Sequence, residues 1–358
     1  MKNVLVTGAA GFIGANFTQH LLKNFPQVNV TALDLLTYAG NEENLAPCRT
    51  DPRFTFVHGS IGDRMLLDKV FTEQAIDTVV NFAAETHVDR SILGPIQFLE
   101  TNVVGTGILL EAARVAWKGR RADEVRFHHV STDEVFGSLA PGELAFMEDT
   151  RYSPNSPYSA SKAGSDHLVR AYAHTYGLSI TISNCTNNYG PYQFPEKLIP
   201  LMILNCLEGK PLPVYGDGQQ IRDWLYVVDH CEAIALILER GRVGETYLIG
   251  GDNQPSNLEI IEMITGIMDE LRPGSPWRPH FSLVQHVADR PGHDRRYAMD
   301  ISRMKNELGW QPRVTLPNGL RKTVEWYLAH PDWVNHLVQS HSYQDWTKAN
   351  YSNRGEEK

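Results

Sequence analysis

Tyr158 and Lys162 stand four residues apart in the run Tyr158-Ser159-Ala160-Ser161-Lys162. On a helix that spacing puts both side chains on one face. A lysine ammonium beside a phenol favours the phenolate, and a phenol so tuned can take a proton from a hydroxyl near neutral pH. Upstream, Ser131-Thr132-Asp133-Glu134 closes an apolar run. Thr132 offers a hydroxyl. Asp133 and Glu134 are adjacent carboxyls that can divide acid and base work if their surroundings push their pKa values apart. Each set also has a plainer reading: a solvated helix face for the Tyr/Lys pair, a helix N-terminal acid pair meeting the macrodipole for the carboxyls.

Context decides between the readings, and it comes from the first thirty-odd residues. Val4-Leu5-Val6 ends at Thr7 and runs into Gly8-Ala9-Ala10-Gly11-Phe12-Ile13-Gly14. A helical pattern through Phe17, Leu21 and Leu22 follows, then a second apolar run, Val28 to Leu33, ending in Asp34. Glycines without Cβ let backbone approach a pyrophosphate, and a helix N-terminus offers that anion free N–H groups. An acid twenty residues past Gly14 can bond an adenosine ribose and disfavours a 2′-phosphate, which points to NAD over NADP. Downstream of such a motif, Lys162 can also bond the nicotinamide ribose.

The elements that must position these groups alternate. Strands are predicted at Phe54–Val57, Thr78–Phe82, Val125–Val130 and Ser179–Asn184, and helices at about Arg64–Glu73, Phe98–Ala116 and Tyr158–Tyr176. That alternation predicts an α/β, Rossmann-type doubly wound parallel sheet with ligands at the carboxyl ends of its strands. After Asn184 prolines and glycines crowd in and the alternation stops. Strands are predicted at Asp223–Val228 and Glu245–Ile249, with a helix near Asp229–Arg240. Further helices are predicted at Asn257–Leu271 (capped by Ser256 or Asn257), Ile301–Leu308 and Leu316–Leu328. The expected division is an NAD-binding domain of residues 1–184, with about 223–249 returning to it. A smaller α/β lobe takes 185–222 and 250–350, and a polar tail takes 351–358.

Composition narrows the partners. A net charge of −9 argues against nucleic acid. Four scattered cysteines without a C-x-x-C, and fourteen histidines without an H-E-x-x-H, indicate neither disulfides nor a metal site. No apolar stretch is long enough to span a membrane, and the chain enters a strand at once, so a cytoplasmic protein is expected.

The chain resembles the extended short-chain dehydrogenase/reductases and, within them, the dTDP-glucose 4,6-dehydratases, over nearly its whole length. The resemblance rests on Thr7 to Gly14, Asn81 to Ser91, Ser131 to Gly137, Tyr158 to Lys162, Asn187 to Pro200, Arg222-Asp223-Trp224 and Asp289 to Asp294. Phe136 stands where the family has tyrosine, and Ser60 where it has an acid.

The resemblance implies a hexose dehydration in three stages. Tyr158, helped by Thr132, takes the C4 hydroxyl proton while hydride leaves C4 for NAD. Glu134 removes the C5 proton and Asp133 protonates the departing C6 oxygen. Hydride then returns to C6 and a proton to C5. It further implies that NAD is held by Gly8, Gly11, Phe12, Ile13, Gly14, Asp34, Leu35, Leu36, Thr37, Ser60, Ile61, Ala83, Ala84, Glu85, Thr101 and Asn188, besides Tyr158 and Lys162. The nucleotide sugar falls to Thr86, His87, Thr132, Asn187, Lys197, Leu198, Pro213, Tyr215, Arg222, Asn257, Arg290 and His293. Arg222 and Arg290 suit a diphosphate, because guanidinium pairs bidentately with phosphate oxygens. A homodimer through the Phe98–Ala116 and Tyr158–Tyr176 helices is expected on the same basis. The alternatives are another nucleotide-sugar dehydratase (GDP-mannose or CDP-glucose), a C4 epimerase, or a non-catalytic NAD-sensing regulator.

Overall fold

The computed structural model describes residues 1–140, 142–289, 293–340 and 343–344. Six strands succeed one another through the first half: β1 (Asn3–Thr7), β2 (Asn29–Asp34), β3 (Phe54–His58), β4 (Thr78–Asn81), β5 (Arg126–Thr132) and β6 (Ile180–Cys185). Later come β7 (Asn187–Tyr189), β8 (Leu212–Tyr215), β9 (Trp224–Tyr226), β10 (Thr246–Ile249) and β11 (Val284–Val287). Seven strands form one sheet in the order β10-β6-β5-β4-β1-β2-β3. Every pairing in it is parallel. A parallel sheet is covered on both faces, so its strands read as continuous apolar runs. Val4 and Val6 point into one apolar layer and Leu5 into the other, as a period of two requires.

Two helices flank the chemistry. The helix Phe12–Asn24 follows the glycine turn directly. The helix Pro157–Tyr176 starts at a reciprocal Ser156/Ser159 capping box with proline in its first turn, and ends at Gly177 in the left-handed region, φ 67°. Such a box contributes about 1 kcal/mol, and glycine accepts the left-handed terminal residue at no steric cost. The start of this helix, and so the placement of Tyr158 one residue inside it, is therefore set locally.

The predicted Phe98–Ala116 helix is composite. It begins as Pro95–Phe98, widens to π geometry over Leu99–Gly105, and resumes as Thr106–Ala116. The helix Leu198–Glu208 falls in the proline- and glycine-rich stretch, where the sequence reading places no element. Pro200 lies in its first turn, where a missing N–H costs nothing. The strand expected at Asp223–Val228 is shorter: β9 pairs with β7, and the helix Val227–Arg240 begins where it ends. That helix packs beside Phe12–Asn24, and β10 joins the edge of the main sheet.

A second apolar cluster joins the helices Leu198–Glu208, Asn257–Leu271 and Leu316–Ala329, and β8 pairs with β11 beside it. Ser256 is the cap of Asn257–Leu271, in a second capping box with Glu259. The helix Pro331–Val338 reaches back to the start of the chain. Trp333 Nε1 donates to Asn44 Oδ1 at 2.7 Å, and Asn44 Nδ2 donates to the Ala10 carbonyl at 2.8 Å. The polar tail, 351–358, lies outside the described residues.

Candidate active site

The glycine turn is built for close approach. Gly8 has φ 66°, and a Cβ there would lie 2.7 Å from Ala83 N. A Cβ on Gly14 would lie 2.2 Å from the Gly8 carbonyl oxygen. The Phe12–Asn24 helix has Gly11 at its N-cap and no side-chain cap, so its first N–H groups face the cleft. Asp34, at the end of β2, accepts from Ala10 N through Oδ2 and from Leu36 N through Oδ1, each at 2.8 Å. It thereby braces the turn as well as facing the cleft. Burial pushes its carboxyl upward, and those backbone N–H groups oppose the shift. The cradle fits a dinucleotide pyrophosphate: backbone donors, a helix N-terminus, and space that any Cβ would fill.

Gly14→Ala is expected to push the helix off the turn. Overpacking of this kind costs about 1–3 kcal/mol. NAD affinity should fall about ten- to a hundredfold, read by fluorescence titration of cofactor-stripped protein.

The cleft above this turn collects nearly all the cofactor residues read from the sequence: Gly8, Gly11, Phe12, Ile13, Gly14, Asp34, Leu35, Thr37, Ser60, Ile61, Ala83, Ala84, Glu85, Thr101, Tyr158, Lys162 and Asn188. Leu36 follows Leu35 at the edge of this cleft: its N–H donates to Asp34 and its side chain packs against the core. Thr132, Asp133 and Glu134 lie on the same cleft.

A second cavity adjoins the first, and Thr86, Glu134, Asn187, Glu196 and Lys197 line both. It gathers the remaining expected substrate residues His87, Leu198, Pro213, Tyr215, Arg222, Asn257 and His293. Arg290 lies outside the described residues. Arg222 donates Nη1 to the Ile221 carbonyl and Nη2 to the Asp294 carbonyl, with its guanidinium over the Tyr297 ring at 4.4 Å. His293 Nδ1 is 2.6 Å from Asp289 Oδ1. Asn187 Oδ1 is buried without a hydrogen-bond partner among the described residues.

At the junction, β5 ends in Thr132 and a short 3-10 turn carries Asp133 and Glu134. The Thr132 hydroxyl donates to Asp133 Oδ1 at 3.1 Å and accepts from Glu134 N at 3.3 Å. Asp133 is 2% exposed and Glu134 half-buried. Burial first, and the Glu134 charge second, push the Asp133 carboxyl well above the ordinary range and so favour its acid form. Its Oδ2 has no hydrogen-bond partner among the described residues. The two neighbours thus differ in surroundings as acid and base work requires.

The phenol departs from expectation. Burial, followed by the Glu134 charge, pushes Tyr158 well upward, and a hydrogen bond with Thr132 opposes this. The expected lowering by Lys162 does not govern. The ammonium is itself buried and donates to the Val130 carbonyl at 2.8 Å.

Several positioning groups had no sequence signal. Asn102, in the π-helical stretch, accepts from Glu85 N at 2.9 Å. It donates to the Glu85 carbonyl at 3.0 Å and to Ser161 Oγ at 2.8 Å. It pins the cleft wall to the Tyr158 helix, a common use of a π-bulge. Glu196 is buried against Arg90 at 3.2 Å. His230, which burial pulls down to about 3 and so keeps neutral, donates Nδ1–H to Asn188 Oδ1 at 2.9 Å. Among the described residues no group of three or more His, Cys, Asp or Glu is arranged to hold a metal ion.

Comparison with known proteins agrees with this geometry. A family profile described as GDP-mannose 4,6 dehydratase matches residues 5–323. A dTDP-glucose 4,6-dehydratase of Salmonella typhimurium is 52% identical over 98% of this chain and 99% of its own. One from Xanthomonas campestris is 55% identical over 94% and 96%. A dTDP-glucose 4,6-dehydratase of Streptomyces venezuelae, solved with NAD and TYD bound, superposes with a TM-score of 0.85 at 49% identity, covering 94% of this chain and 99% of that one.

Proposed function

The chain belongs to the GDP-mannose 4,6-dehydratase family, among its dTDP-glucose 4,6-dehydratases, and we infer from this that it converts dTDP-glucose to the 4-keto-6-deoxy sugar nucleotide with NAD. One observation carries the reading beyond kinship. A buried carboxyl whose surroundings favour its acid form sits beside a more exposed carboxyl, where the dinucleotide cleft meets the second cavity. A redox or epimerising site needs the phenol and the hydroxyl but no such pair.

In this mechanism Tyr158, as its phenolate and with Thr132 beside it, accepts the C4 hydroxyl proton. A C4 ketone makes the C5 proton acidic. Glu134 removes that proton, and Asp133 gives its own to the C6 oxygen, which leaves as water. When bound, NAD supplies the hydride acceptance and return that the first and last stages need. Lys162 is placed to bond the nicotinamide ribose, and the turn from Gly8 to Gly14 holds the pyrophosphate. Arg222, Lys197 and His293 supply positive charge and donors for the substrate diphosphate, with Arg290 expected to join them. Residues 1–184 with 223–249 hold the cofactor in this reading, and 185–222 with 250–350 hold the nucleotide sugar.

The enzyme acts as a homodimer and in the cytoplasm. Leu93, Ile96, Leu99 and Val104 lie exposed along the helical run Val88–Ala116, an apolar face that a second copy would cover. Its four cysteines are free and buried, as suits a reducing compartment. No helix among the described residues is long and apolar enough to cross a membrane.

The test is turnover on dTDP-, UDP-, CDP- and GDP-glucose, followed by the alkaline absorbance of a 4-keto product. Strong preference for dTDP-glucose supports the reading. Interconversion at C4 without 4-keto product would replace it with an epimerase.

A further inference from the structure

Behind the reacting groups lies a buried polar cluster to which the mechanism above gives no role. Its centre is Asp166, 0% exposed, on the Pro157–Tyr176 helix. It follows Lys162 by four residues and Tyr158 by eight, so all three share one face. Asp166 Oδ2 accepts from Ser131 Oγ and from the Tyr152 hydroxyl, each at 2.8 Å. Asn184 Nδ2 approaches the same oxygen at 3.4 Å while donating to the Thr132 carbonyl at 3.0 Å. Asp166 Oδ1 lies 3.3 Å from His129 Nε2.

The proton positions around this carboxylate follow from its neighbours. Thr7 Oγ1 donates to Asn81 Oδ1 at 2.6 Å, which fixes the Asn81 amide with its nitrogen toward His129 Nδ1 at 3.1 Å. His129 Nδ1 is therefore an acceptor, and Nε2 carries the hydrogen, which it donates to Ser165 Oγ at 3.2 Å; Asp166 Oδ1 lies beside that ring without a hydrogen-bond partner of its own among the described residues. Burial, with Lys162 next, pulls His129 down to about 4, so the ring is neutral at neutral pH. His129, Lys162 and Tyr152 together hold Asp166 ionised against its burial. An ionised carboxylate with this many donors is a strong clamp, and removing it leaves several buried donors unpaired.

We propose, on the basis of the dehydratase reading, that Asp166 is a positioning residue. Its carboxylate fixes the Ser131–Thr132 strand end and β6 against the helix face bearing Tyr158 and Lys162, and it supplies the buried negative charge that faces Lys162. The groups facing Lys162 are His129 from β5, Cys185 from β6, and Tyr158 and Asp166 from its own helix. Arg170 stands further off, donating to the Tyr152 hydroxyl. Asp166 favours the protonated amine and burial disfavours it. Removing the carboxylate charge therefore lets Lys162 lose its proton at a lower pH.

The experiment is Asp166→Asn in the full-length enzyme with NAD bound. Misplacing the hydroxyl and phenol by a fraction of an ångström should lower kcat about a hundredfold. KM for dTDP-glucose should stay within about threefold. The alkaline limb of the kcat profile should move down by about one pH unit. Unchanged kcat, or a lower kcat with an unmoved alkaline limb, overturns the proposal; the second result marks a merely structural residue. Should the variant fail to fold, Ser131→Ala combined with Tyr152→Phe removes two donors and keeps the charge. A kcat lowered about tenfold at unchanged KM then supports the clamp, and wild-type kcat overturns it. Absence of turnover by the unmutated enzyme on dTDP-glucose would refute the dehydratase reading instead, so the two failures are distinct.

Discussion

Asp133→Asn should stop the reaction halfway. The amide keeps the size of the carboxyl and its place beside Thr132, and it has no proton to give the C6 oxygen. Loss of a general acid costs about 10²–10⁴ in rate, and the expectation for kcat here is a fall of about 10³-fold. C4 oxidation uses Tyr158 and Thr132 and should survive. A 4-keto-glucose nucleotide that still carries its C6 hydroxyl should therefore accumulate on the enzyme. Rapid quench and mass spectrometry would detect it, and Glu134 should exchange its C5 hydrogen with deuterated solvent. Near-wild-type formation of the 6-deoxy product would remove Asp133 as the acid. The wild-type pH profile should agree. Burial and the Glu134 charge raise the Asp133 carboxyl, so the elimination step, followed by single turnover apart from the C4 oxidation that Lys162 serves, should weaken as pH rises through that elevated value.

Tyr158→Phe should instead block the first stage. The ring stays packed edge-on against Phe98, with centroids 6.3 Å apart, so folding should be little changed. Without the phenol oxygen nothing accepts the C4 hydroxyl proton, and kcat should fall about 10³-fold at nearly constant KM. Neither the 4-keto-glucose species nor C5 exchange should appear, which separates this variant from Asp133→Asn by product analysis alone. The phenol is pushed up by burial and by Glu134, so wild-type kcat should climb with pH on its acid side. A Tyr158→Phe enzyme that retains that climb would show that another group is the base.

The groups legible in the sequence are those whose function needs neighbours within a few residues. Gly8 to Gly14, the Asp133-Glu134 pair and the Tyr158/Lys162 spacing are local patterns, and each lies on the cleft. The groups that hold them are joined across long separations. Asn102 meets Ser161 over 59 positions, Asp166 meets Ser131 over 35, and Arg90 meets Glu196 over 106. No spacing rule finds such pairs before the sheet has brought them together. The direction of the Tyr158 shift was hidden for the same reason. Helical spacing puts Lys162 on the right face, but the depth of burial and the Glu134 charge come from tertiary structure. The Leu198–Glu208 helix was obscured by a proline whose meaning depends on its position in the first turn.

The tie from Trp333 through Asn44 to Ala10 spans 289 positions in its longer step. A ribosome delivers the glycine turn first and this brace among the last of the described helices. During synthesis the nascent turn can form its strand and helix, and its Ala10 carbonyl can take its bonds from Asn41 N and Asn44 Nδ2, but Asn44 itself must wait for Trp333 to be fixed from behind. The earliest turn to emerge thus gains its last tie from a residue made 289 positions after the asparagine that it steadies.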